Sequence, residues 1–132
     1  MIVVTAAVIE HEGLYLVTRR QRGVHLEGYW EFPGGKCEPG ESLPDCLRRE
    51  LLEELGADAL VGSELLSVTH HYAEKSVELH FIACTLQGAP KPLLGQEMRW
   101  VARADLASLQ FPPADGELIA LLLRTPPSSR QA

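Results

Sequence analysis

Three glutamates in the segment RRELLEEL are the first residues in this chain whose types and spacing could do chemistry. On a helix turning about 100° per residue, Glu50, Glu53 and Glu54 stand at i, i+3 and i+4 and share one face, while Leu51, Leu52 and Leu55 take the other. Glutamate is a good helix former, so an acidic stripe can be nothing more than a solvated face. Here like charges repel at i, i+4, and the residues four positions on from each glutamate, Glu54, Ala57 and Asp58, offer no Lys or Arg to offset them. Such a row of hard oxygen donors suits a divalent cation that keeps room for water and phosphate, Mg²⁺ or Mn²⁺. The preceding loop adds to it: Gly34 and Gly35 allow close backbone approach, and Glu41, after Gly40, can bring another carboxylate beside the stripe.

The full array runs Gly35, five residues, Glu41, seven residues, then Arg49, Glu50, Leu51, Leu52, Glu53, Glu54, Leu55, Gly56, Ala57. It resembles the Nudix box. Every fixed position matches, and only Ala57 departs, being smaller than the aliphatic residue usual there. GYWEFPGGK before the array and FPPAD towards the C-terminus are similar to the MutT-like branch of that family. The resemblance implies an α/β fold, an α/β/α sandwich with a mixed β-sheet, and Mg²⁺-dependent hydrolysis of a nucleoside triphosphate to nucleoside monophosphate and pyrophosphate. Carried onto this chain, it makes Glu50, Glu53 and Glu54 the metal-site carboxylates, with Glu53 and Glu54 as direct ligands. It adds the carbonyl of Gly34 or Gly35, and Glu41, to complete or support the metal site, and gives Arg49 the task of orienting the carboxylates. The chemistry is consistent: a pyrophosphate bond is inert because its anionic oxygens repel a nucleophile, and bound metal neutralises that charge and acidifies a water. Glu50 could take the water's proton; the resemblance offers Glu97, in the loop before Trp100, as the other candidate, and Glu97 could equally be a surface acid.

The residues that would hold substrate are spread more widely. Arg19, Arg20 and Arg22 form a local basic patch suited to phosphate oxygens, or else a solvated strand end. The resemblance assigns nucleotide contact to Arg20, places Phe32, Tyr72 and Lys75 at nucleotide-site positions and His25 in a loop of the same site, and Lys36 after the glycine pair joins them. His70, His71 and His80 lie on strands without ligand spacing. Asp115, after FPPA, has two readings: an N-cap for a helix starting at Gly116, or a base-reading residue where relatives carry Asn or Asp. An ionised carboxylate only accepts hydrogen bonds, which suits guanine N1–H and its 2-amino group or the cytosine 4-amino group. Asp rather than Asn argues against strict 8-oxoguanine selectivity and leaves an oxidised or modified dNTP, such as 8-oxo-dGTP, or CTP or a modified dCTP open. The alternatives are another nucleoside diphosphate derivative, such as a dinucleotide polyphosphate or ADP-ribose, or a nucleotide-sensing module without turnover. Ala73, sixteen residues past the array, replaces the proline of ADP-ribose hydrolases, and Tyr72 only nearly matches the diadenosine polyphosphate marker.

These residues need a scaffold, and the sequence outlines one. Residues 2–9 form a β-branched and small apolar run, as in a strand covered on both faces, and HEG turns it into LYLVTRR. Residues 21–29 read as a loop, and WEFPGGK as a short strand stopped by Pro33 and the glycines. Ser42 as N-cap, Pro44 and Asp45 in the first turn, and Gly56 as C′ residue delimit the glutamate helix. LLSVTHHYA and SVELHFIACTL look like paired strands, GAPKPLLG like a loop and EMRWVA like a short strand; ADLASL and DGELIALLLR look like helices. The pattern suggests one domain over 1–125, a mixed sheet between helices, and a flexible tail at 126–132.

Composition limits the partners. Twelve Lys and Arg against eighteen Asp and Glu give a net charge of −6, which argues against nucleic-acid polymers and membrane surfaces. A small nucleotide delivered with its magnesium is the compatible anion. Three cysteines, Cys37, Cys46 and Cys84, contain no CxxC pair, so their spacing suggests neither a disulfide framework nor a thiolate zinc site. A cytoplasmic monomer or homodimer is the expectation.

Overall fold

The computed structural model describes residues 1–124. The apolar N-terminal run becomes β1 (Ile2–His11), and its partners explain why it is apolar throughout. β1 pairs in parallel with β6 (Ser76–Leu86) on one side, from Ile2↔Val77 to Ile9↔Cys84. Its other edge is divided between β4 (Gly34–Lys36), opposite Val4–Ala6, and β2 (Leu14–Arg19), opposite Glu10 and His11. β2 also pairs with β3 (Trp30–Glu31) and β7 (Met98–Ala102), and β5 (Ala59–His71) closes the far edge against β6. The result is a seven-stranded mixed sheet.

Both faces of this sheet are covered, and the period-2 alternation of β1 divides its side chains between them. Ala7 and Ile9 pack with Leu16, Ile82 and Cys84 against Leu47, Leu51 and Leu55 of α1 (Leu43–Leu55). Ala6 and Val8 pack with Val17, Phe81 and Leu79 under Leu118 and Leu122 of α2 (Gly116–Arg124), with Leu106 alongside. This is the expected α/β/α sandwich.

α1 begins and ends on the residues that the sequence marks. Ser42 holds an extended conformation and its Oγ accepts from the Asp45 N–H at 3.2 Å; Gly56, at φ 64°, donates its N–H to Leu52 O at 3.0 Å. One expectation on this helix is corrected: Leu52 is half exposed, because the buried stripe runs Leu47, Leu51, Leu55 at i, i+4, i+8 and leaves Leu52 on its outer flank.

Three other element boundaries differ. WEFPGGK forms two strands rather than one, because Pro33 turns the chain from β2's edge to β1's: Pro33 O accepts from Ala7 N at 2.7 Å and the glycines continue as β4. β5 starts at Ala59, six residues before LLSVTHHYA, since register shifts between Val61 and Leu66 absorb Gly62 and Ser63 without ending the strand. ADLASL is a 3-10 segment over Arg103–Ser108, and a second 3-10 turn, Pro113–Asp115, precedes α2. The expected tail at 126–132 lies outside the described residues. No helix among the described residues is long and apolar enough to cross a membrane.

Candidate active site

Arg49 is the hub of the α1 carboxylates. Its Nε and Nη2 donate to the two oxygens of Glu41 at 2.6 and 2.9 Å, and its Nη1 donates to Glu50 at 2.9 Å and Glu53 at 3.4 Å. Nη2 also reaches Lys36 O at 3.1 Å, which ties the helix to the end of β4. The Glu38 N–H adds a bond to Glu41 at 2.9 Å, and these contacts hold the Glu41 carboxyl down to about 2. Glu41 is thus linked to Glu50 and Glu53 through Arg49.

Beside this fork, Glu50 and Glu54 face the glycine pair. A Cβ on Gly35 would overlap the Glu50 carboxylate, and one on Gly34 would overlap the backbone of Thr5. Only glycines let β4 lie this close to both β1 and α1. Burial and the adjacent Glu50 push Glu54 up to about 9, with Glu31 adding repulsion and the Gly34 N–H opposing it. Two adjacent, partly buried carboxylates cannot both be ionised without a cation. The all-oxygen donor set of the glutamates fits a hard divalent ion that retains water ligands.

A cavity of about 430 Å³ opens on the α2 side of the sheet. Val4, Ala6, Val77 and Leu79 form its wall, and Gly34, Gly35 and Glu54 form the edge towards the carboxylates. All seven residues expected to touch substrate line it: Arg20, His25, Phe32, Lys36, Tyr72, Lys75 and Asp115. They come from the 20–29 loop after β2, β3–β4, the β5–β6 turn and the turn before α2. The loop is held by Arg20, whose Nε donates to His25 O at 2.5 Å. The His25 and His70 rings both meet Tyr72 edge-on, at 5.5 and 4.5 Å between centroids. Phe32 is a core residue that shows one side to the cavity, stacked on Phe111 at 5.3 Å.

Asp115 is only 6% exposed and makes no side-chain hydrogen bond among the described residues, so it does not cap α2. Burial pushes its carboxyl up to about 7; Glu31 adds to the rise and Arg20 opposes it. The sequence alone suggests an ionised Asp115. The structure makes the neutral acid, with one donor and one acceptor, well populated near neutrality.

Some expected residues lie elsewhere. Glu97 does not line the cavity; its oxygens are bound by Arg19 and Arg99, each at 3.2 Å. The basic patch is divided: Arg20 enters the cavity, Arg19 turns to Glu97 and the Trp30 ring, and Arg22 is exposed. One further acid at the cavity carries little sequence signal. Glu31 lines the cavity, pairs with Arg20 at 2.8 Å, and is raised by burial. Its signal was an acid between Trp30 and Phe32, pointing to the opposite face from two core aromatics. His80, 9% exposed, does not line the cavity; it has a carboxylate at each ring nitrogen, Glu64 and Glu78, both at 3.1 Å.

Fold and site together define an α/β/α sandwich whose central helix carries a carboxylate site beside a nucleotide-sized cavity. The chain belongs to the NUDIX domain family, whose model matches residues 4–121. It is 35% identical to an Escherichia coli protein named CTP pyrophosphohydrolase over 120 residues, 90% of this chain and 89% of that one. It is 37% identical over 125 residues to an 8-oxo-dGTP diphosphatase of Haemophilus influenzae, covering 93% of this chain and 92% of that one. Among solved structures, the Escherichia coli ORF135 protein superposes with a TM-score of 0.84 at 34% identity, covering 93% of this chain and 89% of that one. MutT from Aliivibrio salmonicida and Vibrio cholerae, described together, gives 0.80 at 30%, covering 94% and 97%.

Proposed function

We propose that this chain is a Mg²⁺-dependent nucleoside triphosphate pyrophosphohydrolase that releases a nucleoside monophosphate and pyrophosphate. The observation that carries it is the cavity of about 430 Å³, which joins the carboxylate edge at Glu54 to cationic, aromatic and acidic side chains around one space. That volume is in the range of small-ligand sites. Arg20, Lys36 and Lys75 bind phosphate oxygens, and Tyr72, His25 and Phe32 border the base and sugar. Asp115 meets the base edge. Names borne by relatives, CTP pyrophosphohydrolase and 8-oxo-dGTP diphosphatase, support a triphosphate substrate.

Glu50, Glu53 and Glu54, with a carbonyl of Gly34 or Gly35, would hold the metal. When bound, it supplies charge neutralisation along the polyphosphate and acidifies the attacking water. Glu50 is our choice of base over Glu97: Arg49 fixes it against Gly35, whereas Glu97 is engaged by two arginines outside the cavity. The three cysteines are free, which supports a reducing, cytoplasmic setting. Pyrophosphate release across natural and oxidised NTPs and dNTPs with Mg²⁺ tests the proposal. Turnover of at least one triphosphate is expected; turnover only of a dinucleotide or ADP-ribose would overturn the substrate class.

A further inference from the structure

Eight residues lie between Cys37 and Cys46, a spacing that suggests no metal site, yet the fold places them side by side. Cys37 follows β4, and its N–H donates to Val3 O at 2.9 Å, which fixes it beside β1. Cys46, in the first turn of α1, is buried, with its Sγ 3.3 Å from Thr5 Oγ1 and 3.8 Å from Gly35 O. The two Sγ atoms and a Glu41 carboxylate oxygen all lie within 4.8 Å of one another. In a tetrahedral zinc site, sulfur and oxygen ligands at about 2.0–2.3 Å from the ion stand on the order of 3.5 Å apart. Small side-chain adjustments therefore close the triad around one ion.

We infer that Cys37, Cys46 and Glu41 form a binding site for a thiophilic divalent cation, Zn²⁺ above all, behind the hydrolytic site and separate from its magnesium. Two sulfurs and one carboxylate select a soft or borderline ion, while the oxygen donors of α1 select a hard one. Occupancy has a consequence at the hydrolytic site. Both Glu41 oxygens are bound by Arg49, whose guanidinium also holds Glu50 and Glu53. An ion that takes Glu41 releases Arg49 from its anchor, so zinc lowers turnover without entering the cavity. This second half rests on the hydrolase reading; the binding site itself does not.

Titration of the full chain with Co²⁺ alone tests the site directly. Sulfur-to-cobalt charge-transfer absorption in the near ultraviolet should saturate at one ion per chain, vanish in Cys37→Ser, and persist in Cys84→Ala, whose thiol lies in the core. No such absorption, or absorption unchanged in Cys37→Ser, overturns the site. With Mg²⁺ saturating, Zn²⁺ should lower wild-type turnover by about tenfold or more, the scale of losses when groups behind metal ligands are disturbed. Cys37→Ser should resist it. Equal inhibition of both proteins overturns the coupling. The absorbance result is independent of turnover, so failure of the site and failure of the hydrolase reading are distinguishable.

Discussion

Asp115 concentrates the residue-scale physics of this protein. Its carboxyl is raised from 3.8 to about 7, so the folded state binds its proton more tightly than the unfolded state does. The stability tied to that proton is complete below the unfolded value and is lost as pH rises through about 7. Asp115→Asn removes the effect. Thermal melts should show the variant gaining on wild type as pH rises from about 4 to about 8, and parallel curves would contradict the burial argument. The same titration changes the base edge that Asp115 can match. As a neutral acid it can donate to cytosine N3 and accept from the 4-amino group; ionised, it can only accept, as from guanine N1–H and its 2-amino group. The sequence showed where Asp115 stands because FPPAD is a local motif. Its protonation was not legible, because that depends on Glu31 and Arg20, which the fold delivers from β3 and the loop after β2. The surroundings of Glu97 were not legible for the same reason: its partners Arg19 and Arg99 are brought to it by the β2–β7 pairing.

At the scale of elements, the site depends on how closely β4 approaches α1. The glutamate helix was legible in its caps and its carboxylates, which are local patterns; only Leu52 departs, on the outer flank of the apolar stripe. The role of Gly34 and Gly35 was legible only as permission for close approach; the structure shows what they approach, the Thr5 backbone and the Glu50 carboxylate. Gly35→Ala should leave the fold intact by circular dichroism, because the clash falls on a side chain. It should nevertheless displace Glu50, and a misplacement of about 1 Å near the chemistry can lower kcat on the order of 100-fold. Wild-type activity in this variant would show that β4 and Glu50 need not be in contact. β5 and the Cys37–Cys46 pairing were less legible, because a bulged strand and a contact between two elements leave no periodic trace.

For the whole molecule, a net charge of −6 looked unsuited to an anionic ligand. The structure gathers five of the acids: Glu50, Glu53 and Glu54 lie along α1, and Glu31 and Asp115 border the cavity that Glu54 edges. Arg49 and Arg20 offset only part of this cluster. The unfolded chain cannot assemble it, so a cation that binds there stabilises the fold by mass action. At about 100 times its Kd, Mg²⁺ should add about 2.7 kcal/mol, seen as a rise in Tm that Glu54→Gln reduces. An equal rise in the variant would place the ion elsewhere.

The most direct test of the central claim follows a nucleoside triphosphate by phosphorus NMR in the presence of Mg²⁺. Wild-type protein should yield nucleoside monophosphate and pyrophosphate, while Glu50→Gln should still bind the nucleotide but turn it over about 10²- to 10⁴-fold more slowly. Release of orthophosphate in place of pyrophosphate, or full activity in Glu50→Gln, would contradict the account.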